Sequence, residues 1–220
     1  MLSEQAEKAP IIQMKNVTKT FGQDTVLQSV NVEFAQGQIH GLVGRNGSGK
    51  TVLMKCICGL LRPTSGCVRV RGQEVGKDVP IPPDLGAIID SPGFLPNCNG
   101  YKNLAMLYAI RQRLCKDAIE TAIMRVGLDP KSRKHVGKYS LGMRQRLGIA
   151  QTIMENPSIL LLDEPMNGLD NRGVEDMRAL FHSLREEGKT ILLASHNPLD
   201  IDGLCDTVCE MDAGVLRRVR

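Results

Sequence analysis

Tryptophan is absent from this 220-residue chain, and aromatic residues make up only 3% of it. Hydrophobic residues still reach 42%, enough for a proper core. That core must rest on Leu, Ile, Val, Ala and Met rather than on stacked rings. No apolar run approaches the ~20 residues needed to cross a bilayer, so any membrane role is expected to run through a partner. The start, Met1 to Pro10, is polar and charged and does not read as a signal peptide. Seven cysteines are scattered from Cys56 to Cys209 without a C-x-x-C pair, so neither a disulfide framework nor a zinc site is signalled. Small buried thiols in a reducing cytosol are expected instead. The net charge of +4 suits anionic ligands or a membrane surface but falls far short of a nucleic-acid footprint, and no nucleic-acid partner is expected. The basic end, Leu216 to Arg220, reads as a solvated tail. Internal repeats and low-complexity stretches are also missing.

What is present centres on Gly44-Arg45-Asn46-Gly47-Ser48-Gly49-Lys50-Thr51, which matches the phosphate-binding pattern G-x-x-x-x-G-K-[ST] at every fixed position. Ile39, Leu42 and Val43 before it read as the end of a buried strand. Val52, Leu53, Met54 and Ile57 after it read as the start of a helix. The glycines let the backbone curl until several N–H groups point at phosphate oxygens. The following helix adds the positive end of its dipole. In such a loop Lys50 reaches the β- and γ-phosphates and the Thr51 hydroxyl holds Mg²⁺. A nucleoside triphosphate is the expected ligand.

Around the loop, strands are expected at Ile11–Phe21, Val26–Phe34 and Cys67–Val70, forming an antiparallel piece. Leu85 to Ile89 reads as a short buried strand ending at Asp90, followed by the turn-rich loop Ser91-Pro92-Gly93-Phe94-Leu95-Pro96-Asn97. From Tyr101 to Gly127 the period is helical, with Leu104, Leu107, Tyr108, Leu114, Ile119, Ile123 and Val126 apolar; Ser140 opens another helix that ends by Asn156-Pro157. Ser158–Leu162 and Thr190–Ala194 are continuous apolar runs, as strands buried on both faces should be. A helix lies between them from about Arg172 to Glu187, and a hairpin turning at Asp212-Ala213-Gly214 closes the chain. The fold class is α/β: a parallel-sheet core at 11–90 and 157–215 with its antiparallel β subdomain, interrupted by a helical subdomain at 98–156. Residues 11–215 form one domain, after a polar segment at 1–10.

The second chemical motif is Ile159-Leu160-Leu161-Leu162-Asp163-Glu164-Pro165. An apolar strand that ends in two acids delivers them where α/β sheets bind ligands. Asp163 suits Mg²⁺, and Glu164 suits a general base for the attacking water.

Between the two motifs stands Tyr139-Ser140-Leu141-Gly142-Met143-Arg144-Gln145-Arg146, and after them Asn167-Gly168-Leu169-Asp170 and Ser195-His196. This order resembles the nucleotide-binding subunit of an ATP-binding cassette (ABC) transporter from about Ile11 to Val215, with the core of a P-loop (RecA-like) NTPase. The resemblance implies an ATPase that takes ATP with Mg²⁺ and closes head to tail with a second copy or a related cassette. It further implies a separate transmembrane transporter subunit, with the chain peripheral on the cytoplasmic face. Ser140 and Gly142 of one copy would cap the γ-phosphate held by Gly47 to Thr51 of the other; a plain helix cap is the alternative for Ser140. His196 would contact the γ-phosphate, against the alternative of a buried structural histidine. Asp170 would sit at the dimer seam. Phe21 falls at the adenine-stacking position, with packing in the antiparallel sheet as its other use.

Two departures stand out. The family motif usually reads Leu-Ser-Gly-Gly-Gln, and here Tyr139 to Met143 retains only the serine and the second glycine. Asp90 replaces a glutamine that contacts Mg²⁺ and water; it can still ligand the metal, but it repels the triphosphate unless a cation intervenes. Together these features are similar to the exporter branch of bacitracin-resistance and lantibiotic-immunity systems. A soluble ABC-type ATPase without a transporter, and a regulatory cassette that hydrolyses weakly, are the competing expectations.

Overall fold

The structure, a computed structural model, describes residues 10–90 and 93–220. Residues 1–9 of the polar leading segment, and Ser91 and Pro92 of the turn-rich loop, lie outside the described residues. Strand β1 (Pro10–Phe21) turns at Gly22 into β2 (Asp24–Ala35), and β3 (Ile39–Val43) leads to the glycine-rich loop and α1 (Lys50–Ile57). β4 (Ser65–Val70) and a two-residue β5 (Gln73–Glu74) return to β1, so the first sheet is antiparallel in the order β2-β1-β4-β5.

After β6 (Leu85–Ile88) come α2 (Gly100–Arg111), α3 (Lys116–Arg125), a single 3-10 turn at Val136–Lys138, and α4 (Leu141–Ile153). β7 (Ile159–Asp163), α5 (Asn171–Glu186), β8 (Thr190–Ser195), the short α6 (Pro198–Ile201) and the hairpin β9 (Thr207–Asp212) and β10 (Val215–Arg218) complete the chain. The second sheet runs β10-β9-β3-β8-β7-β6, parallel from β9 through β6 with β10 antiparallel at one edge.

Both apolar runs form strands buried at every residue. Their side chains alternate between two cores, as a period of two requires. Leu161 and Leu192 pack with Phe34, Leu53, Met54 and Ile57 under the antiparallel sheet. Leu160, Leu162 and Leu193 pack on the other face with Leu104, Ile119, Leu147 and Phe181 from the helices. The helical segment is tied to α5 by charges. Arg146 donates to the Val126 carbonyl at 2.7 Å and to Asp176 at 2.9 Å, and Arg125 pairs with Glu187.

Four expectations are corrected. The Leu85–Ile89 strand is an edge strand and only half-buried at three of its four residues, because among the described residues nothing pairs beyond β6. Leu114 is exposed, since α2 stops at Arg111 and Leu114 falls in the break before α3. Leu216 to Arg218 is strand rather than solvated tail. Leu216 packs on the core, and Arg220 donates to the Cys205 carbonyl at 3.0 Å. Of the seven thiols, Cys56, Cys58, Cys205 and Cys209 are buried, whereas Cys115 is exposed before α3. Burial pushes the Cys56 thiol up to about 11 and Cys205 to about 12, so these are inert packing groups.

His40 is buried in β3, with Nε2 donating to the Ala35 carbonyl at 2.8 Å and Nδ1 left to accept from the Thr207 hydroxyl at 2.7 Å. Burial lowers its pKa below 6.5, with the Arg218 cation adding, against opposing pulls from the Ala35 carbonyl and Asp206. The unfolded chain therefore takes up a proton at this residue before the native one does. That contribution to stability is complete above about pH 6.5 and is lost as the pH falls through the native pKa. Urea midpoints measured from pH 7.5 down to 5 should fall, and His40→Gln should flatten the decline.

Candidate functional site

Strand register builds the site. Val43 lies opposite Ser195, Asp163 opposite Ala194, and Ile88 opposite Leu162. The carboxyl ends of β3, β8, β7 and β6 are thus level, and the groups that follow them meet along one edge of the sheet. Among the cleft's liners are Asn46, Gly47, Gly49, Lys50, Thr51, Asp90, Asp163 and Glu164, around about 370 Å³ of accessible space.

In the loop, Arg45, Asn46 and Gly47 are exposed, whereas Ser48, Gly49 and Lys50 are buried. Gly49 begins α1 at φ 114°. The Lys50 ammonium donates to the carbonyls of Gly44 at 2.7 Å and Arg45 at 3.1 Å. The buried Ser48 hydroxyl has no hydrogen-bond partner among the described residues, an orphan of the kind that ligand sites contain. The loop is braced from behind by the final hairpin. Gly214 N–H donates to the Ser48 carbonyl at 3.0 Å, and Gln28 of β2 donates to the carbonyls of Gly214 at 2.9 Å and Ala213 at 2.8 Å.

Thr51 Oγ1 donates to Asp163 Oδ2 at 2.7 Å, which joins the two motifs directly. Burial pushes the Asp163 carboxyl up; the nearby Glu164 and Asp90 charges add to this, and the Thr51 bond and Lys50 oppose it. Glu164 adopts a left-handed backbone at φ 49°, uncommon for a residue with a side chain and costing on the order of 1–3 kcal/mol. Its carboxylate meets the His196 turn. Glu164 Oε1 accepts from His196 N–H at 2.9 Å and lies 2.9 Å from the ring Nδ1. Behind them the buried Ser195 hydroxyl donates to Asp200 Oδ2 at 3.0 Å and lies 3.4 Å from Glu164 Oε2. His196 is an exposed residue, not a core histidine.

The remaining candidates lie outside this cleft's lining. Ser140 is exposed and caps α4, its Oγ accepting from Met143 N–H at 3.2 Å. Gly142 is backed so closely by its own chain that a Cβ there would stand 2.8 Å from the Gly168 carbonyl oxygen. Asp170 caps α5, accepting from Gly173 N–H at 2.9 Å. Phe21 is 45% exposed at the end of β1, so the sheet does not bury it, and the Lys19 ammonium stands 4.9 Å from its ring centre. Val26, Leu141, Gln145 and Asn167 line the cleft although sequence reasoning gave them no role in it. Gln145 donates to the Glu164 carbonyl at 3.1 Å, tying α4 to the acid pair; its place in the motif after Ser140 was the available signal.

A phosphate loop and an acid pair brought together at the carboxyl edge of a parallel sheet define a nucleotide-binding cassette. Residues 27–167 match the ABC transporter family model, and the chain belongs to that family. Bacitracin transport ATP-binding protein BcrA of Enterococcus faecalis is 41% identical over 208 residues, covering 94% of this chain and 68% of the relative. Lantibiotic transport ATP-binding protein SrtF of Streptococcus pyogenes is 34% identical over 199 residues, covering 90% and 85%. The expected likeness to that exporter branch therefore holds. The dimeric, post-hydrolysis ATP-binding cassette MJ0796 bound to ADP and Pi superposes with a TM-score of 0.84 at 22% identity, covering 95% of this chain and 99% of that one, and so shares the fold. The chain is an ATPase cassette with a P-loop α/β core. Among the described residues, no helix is long and apolar enough to cross a membrane.

Proposed function

We propose that this cassette hydrolyses ATP within a head-to-tail pair of cassettes, and that the pair powers export through a separate membrane-spanning subunit on whose cytoplasmic face it sits. The observation that carries the reading is the convergence of Lys50, Thr51, Asp163 and Glu164 on one cleft, with Ser140 exposed at the head of α4 and outside that cleft's lining. One half of a phosphate site is assembled, and a complementary half faces outward. The names of BcrA and SrtF support antimicrobial peptides as cargo.

In this reading, loop N–H groups from Gly44 to Thr51 and the amino end of α1 cradle the phosphates. Lys50 exchanges its bonds to the Gly44 and Arg45 carbonyls for phosphate oxygens. Glu164 takes the proton of the attacking water, and His196, fixed beside it, contacts the γ-phosphate. Ser140 from the second copy completes the site. Its oxygen accepts from Met143, but its hydrogen remains free for a phosphate. Gly142 brings the α4 amino end close to that phosphate, Asp170 lies at the seam, and the Phe21 face away from Lys19 takes the adenine. The segment 98–156 forms a helical subdomain within a domain spanning 11–215.

The donors present fit Mg²⁺. Thr51, Asp163 and Asp90 offer only hard oxygens, and the raised Asp163 carboxyl gains from a cation. Mg²⁺ keeps waters and takes substrate phosphates as further ligands. When bound, it neutralises charge between the phosphates.

Lys50→Ala should lower ATP affinity by about 10- to 100-fold, the scale of lost charge-assisted hydrogen bonds. Calorimetric titration checks this, with far-UV dichroism as the control for folding; unchanged affinity would remove the loop from the site. Tagged protein drawn from detergent-solubilised membranes should bring a polytopic membrane protein with it. Recovery with ribosomes or DNA would overturn the transport reading.

A further inference from the structure

Lys55 and Asp90 form an ion pair at 2.6 Å. Lys55 stands one turn after Thr51 on α1, at the i+4 position that shares a helix face with it. Asp90 follows β6 at the carboxyl edge of the sheet and lines the cleft together with Thr51 and Asp163. Its backbone is left-handed at φ 61°, a conformation that a residue other than glycine keeps only where its surroundings hold it.

The charges of the cleft give this pair a role. Among the described residues, its charged liners are one cation, Lys50, and three carboxylates, Asp90, Asp163 and Glu164. A polyanion entering such a cleft meets net repulsion. Lys55 offsets part of it without lining the cleft itself. Its side chain is 29% exposed against 62% for Asp90, so a packed stem presents the ammonium from a fixed base. Attraction to the carboxyl end of the helix dipole accounts for a lysine in the last turn of α1. It does not account for the contact with a carboxylate on another element.

We propose that Lys55 is a positioning residue of the nucleotide site, which holds the Asp90 carboxylate at the rim and cancels its charge so that a triphosphate enters without facing an unneutralised acid. The inference rests on the nucleotide-site reading above. A divalent cation and Lys55 then serve the same carboxylate, and Lys55 matters most where the cation is scarce.

The test titrates a fluorescent ATP analogue into the whole protein, once in EDTA and once in excess Mg²⁺, for wild type, Lys55→Met, Asp90→Asn and the double variant. In EDTA, Lys55→Met should weaken binding by about fivefold, the upper range for a partly exposed pair. The loss should shrink in Mg²⁺ and be smaller in the Asp90→Asn background, where Lys55 has no carboxylate to hold. A merely structural role would cost the same in both backgrounds and both conditions; that result, or no loss anywhere, overturns the proposal. Asp90→Asn alone should bind more tightly than wild type in EDTA, and weaker binding overturns the proposal even where Lys55→Met does not fold. Failure of the wild type to bind, or its indifference to Lys50→Ala, would instead sink the nucleotide-site reading.

Discussion

Glu164→Gln is expected to lower ATP turnover by about 10²–10⁴-fold, the range that a positioned general base supplies, while leaving ATP affinity near that of the wild type. The carboxamide is the same size and needs no change in the left-handed backbone at φ 49°. Its oxygen can still accept from His196 N–H, as Glu164 Oε1 does at 2.9 Å. Its NH₂ can donate to the Ser195 hydroxyl oxygen, which lies 3.4 Å from Glu164 Oε2 and already gives its own hydrogen to Asp200. The fold therefore keeps every partner and loses only the basic lone pair. With hydrolysis stopped and binding intact, ATP should hold the head-to-tail pair closed. Phosphate release measures the first effect, and light scattering with ATP and Mg²⁺ the second. Turnover within a few-fold of wild type would exclude Glu164 as the base. A variant that binds ATP but stays monomeric would sink the paired-site model.

The chemistry at the ends of β3 and β7 was legible because it is local. Gly44 to Thr51 and Asp163-Glu164 are short runs whose residue types and spacing are dictated by phosphate geometry and by the carboxyl end of a strand. The two buried strands were legible from continuous apolar runs, and the cap at Ser140 from its side chain. What stayed hidden depends on register and on distant neighbours. Nothing in the order of residues says that β6 lies at the edge, so the half-exposure of Leu85 to Ala87 could not be read. Leu114 fits a helical period, but the period cannot show that the helix breaks at Gln112. The basic end looks like a tail until β9 supplies the hydrogen bonds that make it a strand. Lys55 meets Asp90 only because α1 and the end of β6 converge, and no motif encodes that contact. The repulsion that Asp90 poses was readable from its charge, but its counter-ion was not.

Gly44→Ala is expected to cost about 1–3 kcal/mol of stability, as overpacking of a tight site does, and to weaken ATP binding by more than about tenfold. A Cβ at this position would stand 2.3 Å from the Met211 carbonyl oxygen and 2.8 Å from the Ser48 hydroxyl. The hydroxyl can rotate, but the carbonyl cannot retreat. Met211 lies in β9, whose Glu210 is paired with Val43 immediately before the glycine, and whose outer side is paired with β10. The hairpin beyond it is held to the loop and to β2 through Gly214 and Gln28. The strain must therefore be taken by the phosphate loop itself, where the Lys50 ammonium is anchored on the carbonyls of residues 44 and 45. For a chain of this size the melting temperature should drop by about 2–4 °C per kcal/mol. Differential scanning calorimetry and nucleotide titration read the two effects separately. A variant that melts with the wild type and binds ATP equally well would show that the hairpin yields, and that it is not the rigid backing of the loop.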